Sequence, residues 1–162
     1  VTLDIVGRAP TPAVRRLGEA HGIRVTGRVD DVRPHVRDAA VYIVPLRIGG
    51  GTRLKIFEAM SMGKAVVSTT VGAEGLPVSD GVHLLLADEP QRFSRAVVRL
   101  IRDTERRRQL ESAARALVVE RYDWSAAGHD LETALAQFAR ARPQGEAELL
   151  RPLHQPVRQD GR

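Results

Sequence analysis

The chain of 162 residues contains no cysteine, which excludes disulfide bonds and metal sites with thiolate ligands. Its 5 histidines share no spacing that is typical of a metal site. Aromatic residues make up only 4% of the chain, so the core must consist mainly of Val, Leu, Ile and Ala. All apolar runs are far shorter than the roughly 20 residues that span a bilayer. By length and composition the sequence therefore predicts one domain with an aliphatic core.

Lysine is scarce as well, since only Lys55 and Lys64 occur among 25 basic residues, and the net charge is +5. Arginine suits phosphate and carboxylate groups, so the excess would fit nucleic acid, anionic lipid or an anionic substrate. Most arginines, however, alternate with acidic residues, as in the segment 102–108, which is typical of a solvated helix face. Aromatic residues do not interleave with them, so we expect no nucleic acid partner.

Short apolar runs alternate with helical spacing along the first half of the chain. Because alternating strands and helices form parallel sheets, the sequence predicts an α/β fold, a Rossmann-like parallel sheet with helices on both faces and a helical C-terminus. The tail from 142 to 162 lacks periodicity and is predicted to be disordered. Strands are expected at 2–6, 24–27, 41–44, 65–68 and 82–86, and helices at 12–21, 32–39, after the glycines 49–51, and through most of 93–141.

The most informative segment starts with three glycines at Gly49 and ends at Gly63, between two predicted strands. Ligands bind at the carboxyl ends of strands in such sheets. Glycines let backbone amides approach a ligand, and the helix that follows points its positive end at the same place. The segment lacks the P-loop pattern, because no lysine follows Gly51 directly, and it also lacks Gly-x-Gly-x-x-Gly. It predicts either an anion-binding turn or a flexible loop.

Four charged residues near this turn are candidates for ligand contacts. Glu58 has apolar neighbours, so we expect a largely buried helix in which this carboxylate needs a partner; the alternative is a solvated side chain. Arg53 and Lys55 oppose the helix dipole in the first turn, which favours an anion nearby, although two solvated side chains would fit too. Glu74 follows the next strand at the same edge of the sheet, where loop glutamates are commonly just solvated.

Residues 51–69 resemble the signature of retaining, GT-B-fold glycosyltransferases of family 4. The likeness extends from Val1 to about Ala141. It implies that 1–141 is a partial donor-binding domain, the C-terminal half of a GT-B fold, and that 142–162 is a tail. Further segments resemble the same family in the same order: 3–7, 25–31, 72–76 and 122–125.

The resemblance implies transfer of a sugar from a nucleotide diphosphate sugar to an acceptor hydroxyl with retention, in exopolysaccharide or lipid-linked glycan synthesis. It implies a cytoplasmic protein, with peripheral membrane contact left open, that requires no metal or other cofactor. The acceptor, a glycan or lipid-linked sugar, would be bound by an N-terminal domain that this sequence does not contain. The basic pair that clamps the diphosphate in the family would precede Val1. We therefore expect this chain alone to be inactive.

The resemblance also assigns roles to residues. Glu58 would bind the ribose hydroxyls, and the backbone at Arg28 and Val29 would line the base. Where the family often has a second glutamate, eight residues before Glu58, this chain has Gly50, so Arg53 or Lys55 is expected to take over part of the donor contact as a catalytic residue. The remaining donor-binding positions are Gly50, Gly51, Thr52, Leu54 and Glu74.

Two other functions remain open from the sequence. One is a nucleotide-sugar-binding module without transfer activity. The other is a fragment of a GT-B-like epimerase, whose catalytic carboxylates would lie elsewhere. The sequence does not identify the base, the sugar or the acceptor.

Overall fold

The computed structural model describes residues 1–49, 51, 53–122 and 124–141. They belong to two compact units, one spanning Val1–Tyr122 and the other beginning beyond it. The predicted tail 142–162 lies outside the described residues. The strands are β1 (Leu3–Val6), β2 (Ile23–Gly27), β3 (Val41–Val44), β4 (Ala65–Ser68) and β5 (Leu85–Leu86), and the helices are α1 (Pro12–Leu17), α2 (Arg33–Asp38), α3 (Leu54–Ser61), α4 (Pro90–Arg102), α5 (Thr104–Tyr122) and α6 (Trp124–Ala141).

The core surrounds a parallel sheet in the order β3-β4-β5. All four residues of β4 are buried, and successive side chains of a strand point to opposite faces. Val66 packs with Ile56 and Met60 of α3 and with α5, whereas Ala65 and Val67 pack on Leu100 of α4. Both faces of the sheet are therefore covered by helices, and the predicted α/β class is confirmed.

The other two strands form a separate parallel pair, β1-β2. No residue of β1, α1 or β2 falls in the buried class, and Leu17 of α1 is 48% exposed. In the described part of the chain, one edge of β1 and one edge of β3 pair with no strand. The single predicted sheet is thus seen as two.

Two predicted elements are shorter in the structure. The predicted helix 12–21 ends at Leu17, because Gly18 takes the C-cap position. The apolar run 82–86 provides only the two residues of β5, since 81–83 form a turn. The loop predicted after β4 contains a short 3₁₀ turn at Val71–Ala73, which matters for the site described below.

The C-terminal helix α6 is the described part of the second unit. Its Leu131, Leu135 and Phe138 recur at the spacing of one helical face and are exposed by 61%, 60% and 79%. The predicted helical C-terminus is confirmed. None of the helices in the described residues is both long and apolar enough to cross a membrane.

An ion pair holds the two strands of the smaller sheet together at one register position. Arg24 of β2 donates from Nε to Asp4 Oδ1 of β1 at 3.0 Å and also from Nη2 to Oδ2. His35 Nδ1 of α2 lies 3.4 Å from the same carboxylate. The Arg24 hydrogen bonds hold the pKa of the Asp4 carboxyl below its ordinary value.

This pair makes the stability of the chain sensitive to acid. Because the pKa of Asp4 is lower in the folded than in the unfolded state, its contribution is present above about pH 4 and is lost as the pH falls through the folded pKa. We expect the urea midpoint to fall with acid in the parent chain and to fall less in Asp4→Asn and in Arg24→Ala. Midpoints measured by circular dichroism between about pH 2 and pH 6 test this. Identical pH profiles for all three proteins would contradict it.

Candidate functional site

A cleft of about 900 Å³ opens beside α3 in the first unit. Three parts of the chain form it: the turn that begins at Gly49 (the glycine turn) together with α3, the loop that follows β4, and the C-terminal end of α5. Because β3 and β4 are parallel, the first two parts leave the sheet at the same edge, where ligands bind in such folds. The lining residues are Gly51, Arg53, Leu54, Phe57, Glu58, Ser61, Glu74, Gly75, Leu76, Val118 and Tyr122.

The glycine turn takes a backbone conformation that only glycine adopts without strain. Gly51 has a φ of 91°, in the left-handed region where a side chain is costly. Two residues later Arg53 occupies the N-cap position of α3. The first backbone N–H groups of a helix have no intrahelical acceptor. The turn therefore brings the positive end of α3 to the mouth of the cleft.

Glu58 lies on α3 with its side chain exposed, so the expected burial was wrong and the alternative, a solvated side chain, is what the structure has. The inward face of α3 consists of Ile56, Ala59 and Met60, and Glu58 turns away from it toward the cleft. Its charge still affects the core: burial raises the pKa of Tyr42, and the negative charge of Glu58 raises it further. Because its side chain is exposed, the carboxylate of Glu58 is accessible to a ligand in the cleft.

Arg53 is the most buried charged side chain of the cleft, with 8% of that side chain exposed. Its Nη2 donates to the carbonyl oxygen of Gly49 at 3.0 Å, and the same nitrogen lies 3.6 Å from Glu74 Oε2. Arg53 therefore joins the glycine turn, the start of α3 and the loop after β4.

A buried polar network fixes the start of the loop after β4. Ser68 Oγ donates to the carbonyl of Thr69 at 2.9 Å, and Thr69 Oγ1 donates to the carbonyl of Leu46. The N–H of Gly72 donates back to Thr69 Oγ1 at 3.0 Å. The same side chains thus hold the chain leaving β3 and the chain leaving β4, which are the two walls of the cleft.

The other end of this loop is tied to the segment after β5. The carboxylate of Asp88 accepts hydrogen bonds from the N–H and the hydroxyl of Thr70, both at 2.8 Å. These bonds hold the pKa of Asp88 below its ordinary value. With Thr70 held, the 3₁₀ turn that leads to Glu74 starts from a fixed point.

Reasoning from the sequence missed an aromatic pair at the cleft. The rings of Phe57 on α3 and Tyr122 at the end of α5 have centroids 4.4 Å apart, with planes inclined by 36°. Both residues line the cleft. Aromatic residues are rare in this chain, and Tyr122 belongs to the segment 122–125 that carries the family resemblance; these two signals together would have pointed to it.

The structure groups five of the predicted residues and separates others from them. Gly51, Arg53, Leu54, Glu58 and Glu74 line the cleft. Lys55 is exposed on α3 but does not line it, and Arg28 and Val29 lie in the loop after β2, in the other sheet.

Two predicted positions, Gly50 and Thr52, lie outside the described residues. Within the described part of the chain no group of His, Asp and Glu side chains is arranged to hold a metal ion.

Comparison with known proteins identifies a family. Residues 1–103 match the model of a family described as glycosyl transferases group 1. The phosphatidyl-myo-inositol mannosyltransferase of Mycobacterium leprae is 36% identical over 132 residues, which are 77% of this chain and 35% of that protein. The chain therefore spans about a third of the length of this curated relative.

Solved structures show the same fold. Anabaena HepE in complex with UDP superposes with a TM-score of 0.73 and 23% identity, over 85% of this chain and 41% of HepE; HepE was also solved with UDP-glucose. Sucrose-phosphate synthase from Thermosynechococcus elongatus has a TM-score of 0.70 and 22% identity, over 87% of this chain and 39% of that one. At this low sequence identity the structural similarity shows a shared fold and does not show a shared function.

Proposed function

This chain belongs to the glycosyl transferases group 1 family, and we propose that it is the donor-binding part of a retaining, family 4 enzyme. That enzyme transfers a sugar from a nucleotide diphosphate sugar to an acceptor hydroxyl. One observation carries the proposal: Gly51, Arg53, Leu54 and Glu58, on one segment, surround the same cleft as Glu74 from the next loop. The HepE structures that hold UDP and UDP-glucose support a ligand of this class.

Each group in the cleft has a chemical counterpart on such a donor. The carboxylate of Glu58 is exposed and accepts hydrogen bonds from two ribose hydroxyls. The amides at Gly51 and Leu54, at the positive end of α3, face the diphosphate. We place the amides of Gly50 and Thr52 in the same role. Positive charge from Arg53 in the cleft, and from Lys55, which is exposed on α3 outside it, stabilises the leaving diphosphate.

Two further parts of the chain complete the donor site. The backbone at Arg28 and Val29, which do not line the cleft, lines the base, and Glu74 lies at the edge of the donor site within the cleft. Catalysis then consists of positioning the donor and stabilising the charge that develops on the diphosphate, for which no metal is needed. The acceptor is a glycan or a lipid-linked sugar held by another part of the whole protein, which we place in the cytoplasm, in exopolysaccharide or lipid-linked glycan synthesis.

A binding screen of the full-length protein tests the proposal. We expect UDP, GDP or ADP, with its hexose conjugates, to raise the melting temperature, because a ligand that binds only the folded state stabilises it by RT ln(1 + [L]/Kd). At about 100 times the Kd this amounts to about 2.7 kcal/mol. No shift with any nucleotide sugar would contradict donor binding.

A second measurement tests the reaction itself. The full-length protein is incubated with the donor that binds and with glycan or lipid-linked acceptors, and the anomeric configuration of the product is determined by proton NMR. The expected product keeps the configuration of the donor. Inversion would contradict the retaining mechanism, and binding without transfer to any acceptor would favour a nucleotide-sugar-binding module.

A further inference from the structure

The ion pair between Arg53 and Glu74 joins a buried cation to an exposed anion. The Arg53 side chain is 8% exposed, whereas that of Glu74 is 73% exposed, and Nη2 and Oε2 are 3.6 Å apart. Both residues line the cleft. The guanidinium is therefore fixed by the protein, while the carboxylate reaches it from the solvent side.

The glycine turn is shaped around this guanidinium. A Cβ at Gly49 would lie 3.1 Å from Arg53 Nη1, closer than nearly all such contacts, and the carbonyl of Gly49 accepts a hydrogen bond from Nη2. The first glycine of the turn thus makes room for a cation rather than for a ligand. This use of the turn could not be inferred from the glycine pattern alone.

The position of Arg53 favours an anion next to its guanidinium group. A cation at the N-terminus of a helix is opposed by the helix dipole, and burial removes much of the water that would otherwise solvate it. In the structure the carboxylate of Glu74 provides this negative charge. A phosphate group of a bound ligand could take the same place and would carry more charge.

Glu74 can exchange its partner without disturbing the loop. The preceding Gly72 and Ala73 are buried, and the network around Thr69 holds them in place. Glu74 itself and Gly75 are exposed, and Gly75 has a φ of 77°, a conformation natural to glycine. Rotation of the Glu74 side chain is therefore enough to release the guanidinium.

We propose that Glu74 is an internal substitute for the ligand's phosphate: it pairs with Arg53 in the protein alone and is displaced when a nucleoside diphosphate binds. Arg53 is then the residue that recognises the diphosphate, and Glu74 sets how tightly it does so. This inference rests on the proposed function, because it names the part of the donor that Arg53 binds.

The test compares two carboxylates of the same cleft. In the full-length protein, calorimetric titration measures the Kd of the preferred nucleoside diphosphate and of its nucleoside. Glu74→Gln removes the competing anion, so we expect the diphosphate to bind about two- to fivefold more tightly and the nucleoside to bind as before. Glu58→Gln should weaken both ligands. Glu111→Gln, whose carboxylate pairs with Arg107 on α5 at 3.6 Å away from the cleft, should change neither.

Arg53 is tested through its coupling to Glu74. We expect Arg53→Ala to weaken the diphosphate by more than about tenfold, with Arg53→Lys intermediate. In the double variant Arg53→Ala/Glu74→Gln the gain from Glu74→Gln should vanish, which a purely structural role of either residue would not produce. Arg53→Lys keeps the comparison possible if Arg53→Ala does not fold.

The possible outcomes distinguish a wrong proposed function from a wrong role for Glu74. If the parent protein binds none of the nucleoside diphosphates, the proposed function is wrong. If it binds one and Glu74→Gln leaves the affinity unchanged, the substitution of phosphate by Glu74 is wrong. If Glu74→Gln weakens binding, Glu74 is itself a contact of the donor and the inference is overturned, whereas the proposed function stands.

Discussion

Replacing Gly72 with alanine is expected to destabilise the first unit by about 1–3 kcal/mol. An added Cβ would lie 2.4 Å from Ser68 Oγ and 3.0 Å from the carbonyl oxygen of Val44. The Val44 carbonyl is backbone at the end of β3, so it cannot move without disturbing the sheet, and rotation of the fully buried Ser68 hydroxyl would break its hydrogen bond to the carbonyl of Thr69. The urea midpoint of Gly72→Ala measures the effect.

Two further variants control this prediction. Gly7→Ala adds the same methyl group where no atom lies within 4 Å, and its urea midpoint should stay close to that of the parent. Ser68→Ala combined with Gly72→Ala removes the nearest obstacle but leaves the Val44 carbonyl in place, so a partial recovery is expected. An unchanged midpoint in Gly72→Ala would show that the loop after β4 adjusts freely, contrary to the network described for it.

The strands β3 and β4 were predictable because their own residues, short apolar runs with clear ends, identify them. The apolar run 41–44 ends at Pro45, and the run 65–68 follows Gly63, whose φ is 66°. Both strands were predicted at the residues where the structure has them. β4 is buried at all four residues and β3 is half-buried to buried along its length, so continuous apolar runs identify both strands without any knowledge of their neighbours.

Elements that depend on a single local residue were less predictable. The helical spacing of the segment 12–21 suggested ten residues, but Gly18 ends α1 after six. Glycine is a good helix terminator, yet whether a given glycine ends a helix depends on the packing beyond it. Here little of α1 is buried, so no tertiary contact carries the helix past Gly18.

Five residues chosen from the sequence lie together in the structure. Gly51, Arg53, Leu54, Glu58 and Glu74 line one cleft, because β3 and β4 are adjacent and parallel. The burial of Arg53 was not foreseen, and the exposure of Glu58 was only the alternative considered. Both depend on how α3 is rotated over the sheet, which its two neighbouring strands and α5 decide together.

Contacts between distant segments account for what else was missed. The Phe57–Tyr122 pair requires the end of α5 to reach α3, and Arg115 of α5 donates to the carbonyl of Ser61 at 2.9 Å. No local pattern in the sequence encodes such a meeting. The strands also form two sheets instead of the single predicted one. Which strands pair depends on contacts between distant segments, so the periodicity of the sequence could not predict it.

Removing the carboxylate of Glu58 is expected to cost the largest share of donor affinity. One hydrogen bond to a charged group contributes about 1.5–3 kcal/mol; for two hydroxyls on the solvent-exposed Glu58 we take this range as the total, so Glu58→Ala should weaken a nucleotide sugar by about ten- to 150-fold. Because Glu58 is exposed on α3, its loss should leave the urea midpoint nearly unchanged. Calorimetric titration of the full-length protein measures the affinity.

The pattern across ligands identifies the ribose as the partner of Glu58. The loss in Glu58→Ala should be much smaller for a 2′,3′-dideoxynucleoside diphosphate, which has no ribose hydroxyls to donate, and the parent should bind that analogue about as weakly as the variant binds the natural nucleotide. Glu89→Ala, an exposed carboxylate at the start of α4, serves as the control with the same change of charge. Equal losses for the natural and the dideoxy ligand would contradict the assignment of Glu58 to the ribose, because a hydrogen-bonding role requires the hydroxyls.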